Sequence, residues 1–297
     1  MNNRMKSICF FSSYFEKDKI PYFIKCYLLE LKNHFNELVL LSNEKTLSQK
    51  DMDFLKNNGI EWMPVKNEGY DFGMWYKAFK AKPVMEYDRI GLVNDSCILF
   101  KKLDDTFKVI NESGWDYCGL VDSAQIEYHL QSYFLVMNRA AAGYVDEFFI
   151  KHGIINDIDD VIRTYEVGIT SFLKEKKLKI GAVYTHDASD QDLNPSFYRI
   201  VDLINRGFPM IKKKIIFGNY KKGEVYNLSS AGFRFNPSYY LKLIKKQHAD
   251  LIIDLKLLKS DYNHWQVNSR LLSHSFFLKI YFSLKNMARF IYRKYIK

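Results

Sequence analysis

The sequence predicts an α/β fold built on a mostly parallel sheet with helices on both faces. Short apolar runs that suit buried strands alternate with longer stretches of helical spacing from the first residues on. The segments joining those runs are helical rather than tight turns, and strands joined through helices lie parallel in one sheet.

Residues 7–15 form the first apolar run. Pro21 is placed to open a helix over 21–35, in which Phe23, Cys26, Tyr27, Leu29 and Leu31 fall near helical spacing. ELVLLSN makes the second strand. A polar amphipathic stretch from Ser48 to Asn58 stops at Gly59, and IEWMPV makes the third strand, so the chain begins βαβαβ. A loop, KNEGYDFG, leads into a helix, MWYKAFKA, and RIGLVN is the fourth strand. Beyond it come a helix over about 103–113, a strand DYCGLVDS, and a segment EYHLQSYFLVMNRAA that begins polar and becomes a strand. A helix over 141–152 follows, then TYEVGITSFLKEKKLKIGAVYTHD, read as a helix, a turn and a short strand ending at His186. After Asn194-Pro195 the alternation stops. The expected division is therefore an α/β domain over 1–193 and a helix-rich basic extension over 194–297.

Length and composition narrow the function classes. A chain of 297 residues can bury one sizeable core and carry an appendage. Lys and Arg number 44 against 34 Asp and Glu, and the formal charge of +10 favours an anionic partner: a nucleotide-linked ligand, an acidic lipid surface or a nucleic acid. Nucleic acid fits worst, because no recognised nucleic-acid motif is present and the basic residues gather in the tail rather than among sheet aromatics. Cys9, Cys26, Cys97 and Cys118 form no CxxC pair, and three fall in apolar elements, which predicts free thiols and a cytoplasmic compartment. No secretory leader pattern precedes the first strand, and no uncharged apolar run of membrane-spanning length occurs.

In RIGLVNDSCILF an acid interrupts an apolar run, which is costly unless it is paired, exposed or bound to a cation. Asn94-Asp95-Ser96 suits a turn or helix cap. It equally suits a ligand site, since ligands of such sheets sit beyond the carboxyl ends of the strands. There Asp95 would hold a divalent cation that neutralises a diphosphate. In NEGYDFGMW, Gly69 and Gly73 bracket Tyr70, Asp71 and Phe72 and allow close approach of backbone to phosphate. Asp71 is either an acceptor for a base or ribose or part of a plain surface turn. Neither GxGxxG after the first strand nor GxxxxGK[ST] is present, which argues against a dinucleotide enzyme and a P-loop kinase.

Three further stretches carry candidate chemistry. His129, Gln131 and Tyr133 alternate in YHLQSYFLVM and would share one face of an extended segment, either to bind a sugar's hydroxyls or as a half-exposed strand face. Glu166 opens the helix EVGITSFLKEKKLKIG, where the helix dipole favours an acid and where a general base could stand. His186, beside Asp187, is an exposed histidine or a second ligand for the cation at Asp95.

Taken in order, EGYDFGMW, LVNDSCILFKKLDDTF, WDYCGLVDS, YHLQSYFLVM, YEVGITSFLKEKKLKIG and NPSFYRIVDLINRGFPMIKKKIIFGN resemble the rhamnan synthesis protein F family of polysaccharide glycosyltransferases, over roughly residues 60–220. More distantly the chain is similar to glycosyltransferases of the GT-A type, in which a strand ends in Asp-x-Asp that grips a metal and the diphosphate of a nucleotide-sugar. Asn94-Asp95-Ser96 occupies the matching place with one carboxylate instead of two.

The resemblance implies a GT-A-like nucleotide-sugar-binding domain over 1–193, with Mg2+ or Mn2+ at Asp95 and His186. It puts Ser12, Ser13, Gly69, Tyr70, Asp71, Asn94, Asp95 and Ser96 on the donor side, and His129, Gln131 and Tyr133 on the acceptor side. Glu166 becomes the catalytic base of an inverting hexosyl transfer. The implied donor is a nucleotide-sugar, with rhamnose as the sugar, and the implied acceptor a growing, lipid-linked surface polysaccharide such as a lipopolysaccharide or capsule. A noncatalytic sugar-nucleotide-binding or scaffold subunit is the alternative that the incomplete acid motif leaves open.

Within SFFLKIYFSLKNMARFIYRKYIK, Phe277, Ile280, Leu284, Met287 and Ile291 recur at steps of three and four, with Lys279, Lys285, Arg289 and Arg293 on the other side. This predicts a helix that lies on an anionic membrane surface, or one that packs onto the rest of the chain. The expected location is the inner face of the cell membrane, peripherally bound.

Overall fold

The computed structural model describes residues 5–15, 18–43, 46–186, 194–218, 220, 225, 228–229 and 232–260. The first half runs β1 (Ser7–Ser13), α1 (Tyr22–Lys32), β2 (Glu37–Asn43), α2 (Gln49–Asn57), β3 (Glu61–Val65), α3 (Tyr70–Ala81), β4 (Arg89–Asn94) and β5 (Cys97–Leu99). Then come α4 (Asp104–Ser113), β6 (Tyr117–Ser123), β7 (His129–Leu130), β8 (Phe134–Asn138) and α5 (Arg139–His152). A helical run follows as α6 (Ile158–Val161), a π-helical stretch Ile162–Val167 and α7 (Gly168–Glu175), and leads to β9 (Ile180–Tyr184). The chain continues through α8 (Pro195–Tyr198), α9 (Ile200–Asn205), β10 (Met210–Lys212), α10 (Lys213–Phe217), α11 (Pro237–Gln247) and α12 (Leu255–Ser260).

Eight strands form the main sheet. β3, β2, β1 and β4 are parallel neighbours in that order, β8 lies antiparallel between β4 and β6, and β9 joins β6 in parallel. The carboxyl ends of β1, β2, β3, β4, β6 and β9 therefore share one edge. The chain leaves β1 toward β2 and β3, then returns through α3 to β4 on the other flank of β1. This reversal makes the mouth between β1 and β4 the topological switch point, the place where such sheets open a crevice.

Side-chain alternation fills both faces. Ile8, Phe10, Val39, Leu41, Ile90 and Leu92 pack with Trp75, Phe79 and Phe149 of α3 and α5. Cys9, Phe11, Leu38, Leu40 and Val93 pack on the opposite face with Phe23, Tyr27 and Leu31 of α1. All four cysteines are free thiols, three of them buried. Local signals place the helices as expected: Ser48 caps α2 by accepting the Asp51 N–H, and Gly114 ends α4 in the left-handed region.

The stretch after residue 193 joins this core. Ile200, Leu203, Ile204, Met210, Tyr240, Ile244 and Leu258 belong to the α1-side cluster, and β10 pairs antiparallel with β5. The expected boundary between 193 and 194 thus falls between segments that share packing. The expected helix over 272–297 lies outside the described residues. Among the described residues no helix is long and apolar enough to cross a membrane.

Three local expectations change. KNEGYDFG is not all loop: α3 starts at Tyr70, because Gly69 adopts φ 73° and its carbonyl accepts the Gly73 N–H at 2.8 Å. EYHLQSYFLVM is not one extended segment: it breaks at a turn over Ser132 and Tyr133 between β7 and β8. Glu166 does not open a helix: the helical run begins at Ile158, where Asp157 accepts the 159 and 160 N–H groups, and Glu166 lies inside the π-helical stretch.

Candidate active site at the carboxyl edge of the sheet

The switch point gathers five polar side chains. Ser12 and Asn94 have the same parity as Phe10 and Leu92, so both face α3 and both reach Asp71 in its first turn. Ser12 Oγ lies 3.0 Å from Asp71 Oδ1, and Asn94 Nδ2 donates to Asp71 Oδ2 at 2.7 Å. Ser13 points to the opposite face and donates to Asp95 Oδ2 at 2.8 Å. Asn94 Oδ1 also accepts the Ser96 N–H at 3.0 Å and so closes the Asp95-Ser96 turn. One residue of strand parity thus separates an Asp71 subsite from an Asp95 subsite.

Burial, and then the charge of Asp95, push the Asp71 carboxyl up to about 7; its bonds to Ser12 and Asn94 and the Lys213 ammonium pull the other way. Close packing fixes this acid. A Cβ on Gly73 would sit 1.9 Å from the Glu68 carbonyl oxygen, and one on Gly69 would sit 2.9 Å from the Gly73 Cα, so both positions require glycine. Tyr70 carries φ 54°, a rare value for a residue with a bulky side chain, and the residue is 45% exposed.

Asp95 has a partner that the sequence reading missed. Lys213 Nζ lies 2.9 Å from Asp95 Oδ2, with the carboxylate side chain only 15% exposed. The signal was present as three lysines set inside FPMIKKKIIFGN, a polar interruption of an apolar stretch like the one at Asp95.

Glu166 stands on the same edge. Ser132 donates to its Oε1 through both N–H, at 3.1 Å, and Oγ, at 3.2 Å. The next residue, Tyr133, accepts the Asn94 N–H through its carbonyl at 3.2 Å. The base candidate is therefore tied to the donor strand through one dipeptide. The π-helical winding ends with the Gly168 N–H reaching the Arg163 carbonyl, the wide turn that helices often carry at functional sites.

The expected acceptor face is instead a buried network. His129, Gln131 and Tyr133 are 6%, 1% and 1% exposed. Gln131 bonds Asn194 at 2.9 Å and accepts from Ser196 Oγ at 2.5 Å, Tyr133 Oη lies 3.1 Å from the same hydroxyl, and His129 Nδ1 donates to the Glu127 carbonyl at 2.8 Å. Gln131 and Tyr133 hold the start of α8 at Asn194 and Ser196 against the edge, and all three side chains are nearly closed to a ligand. Gln131 and Tyr133 do share a side, since both meet the Ser196 hydroxyl, but that side is covered by a segment distant in the chain instead of lying open.

His186 turns toward β6. Its main-chain N–H and Nδ1 donate to Asp122 Oδ1 at 2.6 and 2.8 Å. It also lines an open cavity of about 330 Å3 with Thr185, Pro195, Arg199, Asp202, Leu203 and Arg206. Its neighbour Asp187 lies outside the described residues.

A divalent cation does not fit the donor atoms at the β4 tip. Asp95 Oδ2 already meets an ammonium and a hydroxyl and Asn94 is engaged through both side-chain atoms, which leaves Asp95 Oδ1 as the carboxylate oxygen of this turn for an ion that takes six or more oxygen ligands. β4 and β9 lie three strand spacings apart, roughly 14 Å, and His186 bonds toward Asp122 rather than Asp95. Among the described residues, Glu30, His34 and Asp104 form a group whose ligand atoms lie within 4.8 Å of one another. That group is at the far end of α1, and Glu30 there accepts the Leu103 N–H at 2.8 Å at the start of α4.

The family model for rhamnan synthesis protein F matches residues 38–269, more than three quarters of the chain. The chain belongs to that family. A curated relative, virulence protein VirA of Vibrio anguillarum, is 26% identical over 82% of this chain and 90% of its own. Among solved structures, a protein of Desulfovibrio desulfuricans G20 described as a nucleotide-diphospho-sugar transferase aligns with TM-score 0.40 at 14% identity, covering 83% of this chain and all of that one. A cytidylyltransferase from Leptospira borgpetersenii aligns with TM-score 0.41 at 15% identity over 82% of this chain and 94% of its own. In this member of the rhamnan synthesis protein F family, the fold brings Ser12, Ser13, Asp71, Asn94 and Asp95 together at the switch point and links Glu166 to them through Ser132 and Tyr133.

Proposed function

We propose that this chain is an inverting glycosyltransferase that moves a hexose, rhamnose as the first candidate, from a nucleotide-diphosphate donor to a lipid-linked surface polysaccharide. One observation carries the reading: Ser12, Ser13, Asp71, Asn94 and Asp95 converge at the switch point, with Glu166 joined to Asn94 through Ser132 and Tyr133. The nucleoside lies toward Asp71, with the exposed Tyr70 ring available to stack on the base. The diphosphate lies over the Asp95 turn. Glu166 Oε1 is held by Ser132, so its second oxygen takes the proton of the acceptor hydroxyl as that oxygen attacks the anomeric carbon and the diphosphate departs. An acceptor that carries phosphate suits the cavity beside His186, where Arg199 and Arg206 stand.

A thermal-shift panel of nucleotide-sugars, followed by an assay of transfer and donor hydrolysis, tests the reading. The wild-type protein is expected to be stabilised by one donor class. Asp95→Ala is expected to lose that stabilisation with its circular dichroism unchanged, because it releases both Ser13 and Lys213. A donor shift that survives Asp95→Ala removes the diphosphate from this turn. Binding without transfer or hydrolysis favours a sugar-nucleotide-binding subunit.

The site would work at the inner face of the membrane, with the stripe over 277–291 on the lipid. Each basic residue near anionic lipid contributes about 1 kcal/mol. Deleting residues 272–297 is expected to release the protein from anionic liposomes in a flotation assay. Undiminished flotation assigns membrane binding elsewhere.

A further inference from the structure

The tip of β4 is built around a cation that the chain itself supplies. Lys213 is held in place by its main chain as well as its charge. β10 pairs with β5 so that Lys212 lies opposite Cys97, and the Lys213 N–H donates to the Ser96 carbonyl at 2.8 Å. Its Nζ then meets Asp95 Oδ2 at 2.9 Å, the oxygen that also receives Ser13. Lys212 Nζ lies 4.2 Å from the centre of the Tyr133 ring, whose own carbonyl holds Asn94. Two ammonium groups and one carboxylate therefore occupy the turn and its immediate neighbours. With Asp71, the other acid of the site, protonated below about pH 7, the local balance there is +1, the right sign for a diphosphate.

An ammonium is a compact charge with three donors. Asp95 takes one of the Lys213 donors and aims the group, and the side chain is 32% exposed at the mouth of the crevice. A divalent ion at Asp95 would have to displace this lysine or sit against its charge. We propose that Lys213, with Lys212 beside it, neutralises the donor's diphosphate in place of a metal ion, so that this chain binds and turns over its donor without a divalent cation. The inference rests on the nucleotide-sugar reading of this edge. In it Asp95 is a positioning residue, and Lys213 stays charged throughout, stabilising the departing diphosphate by hydrogen bonds without transferring a proton.

Binding of a panel of nucleoside diphosphates to the full chain, measured by calorimetry in EDTA and in Mn2+, tests this. The expected result is equal affinity in the two buffers. Lys213→Met should weaken binding at least 10-fold in both, Lys213→Arg should restore most of it, and added Mn2+ should not rescue the methionine variant. A 10-fold or greater loss of wild-type affinity in EDTA overturns the proposal, whatever the variants do, and leaves the nucleotide-sugar reading standing. Unchanged affinity in Lys213→Met overturns it too. A wild-type protein that binds no nucleoside diphosphate in either buffer overturns the functional reading and this inference with it.

Discussion

Replacing Glu166 with Gln lowers turnover by ~10^2 to 10^4-fold, the range of a lost general base, and leaves donor affinity unchanged. The geometry makes this substitution informative. Glu166 Oε1 accepts from both the Ser132 N–H and Oγ, and a glutamine carbonyl oxygen accepts the same two bonds. The side chain keeps its place, and only the second position changes, from an oxygen that takes a proton to an amide that cannot. Loss of kcat at constant donor affinity is what a transition-state role requires. Turnover within a few-fold of wild type would reduce Glu166 to an anchor for the Ser132 turn. Ser132→Ala separates the two roles: it removes one of the two bonds, leaves the base present, and is expected to lower kcat by much less than Glu166→Gln.

The parts of this site that were legible in the sequence are those carried by local pattern. The β1 and β4 apolar runs fixed their own parity, and an acid at the end of the fourth run marked the edge before any topology was known. Lys213 escaped notice because its contact depends on β10 pairing with β5, a match between distant segments that no local period announces. The acceptor residues follow the local pattern as far as Gln131 and Tyr133, which meet one hydroxyl, but Asn194 and Ser196, which bury them, come from a distant part of the chain that no local rule reaches. The pattern of EVGITSFLKEKKLKIG suggests a first helical turn at Glu166, whereas the backbone is already helical from Ile158. Winding of the i→i+5 kind has no signature in residue type, so only the backbone revealed it.

The largest effect on stability is expected from Asp71→Asn, and it depends on pH. Folding buries this acid beside Asp95 and raises its carboxyl from an ordinary value near 4 to about 7. The folded protein therefore keeps a proton that the unfolded chain releases, and stability falls as pH rises between those values and levels off above them. A shift of about three units amounts to roughly 4 kcal/mol at pH 8, less what solvent at the rim relieves. Asparagine suits the same contacts: its oxygen accepts from Asn94 Nδ2, and its amide donates to Ser12 Oγ, which can turn its own proton toward the Val93 carbonyl 3.5 Å away. Asp71→Asn should therefore melt several degrees above wild type at pH 8 and close to it at pH 4, with other titrating groups cancelling in the difference. A gap that does not widen with pH would mean that Asp71 gives up its proton as readily in the folded protein as in the unfolded chain. The same variant is expected to lose donor affinity, because a chain that keeps an acid at this cost beside its ligand crevice gains from it only when the ligand is bound.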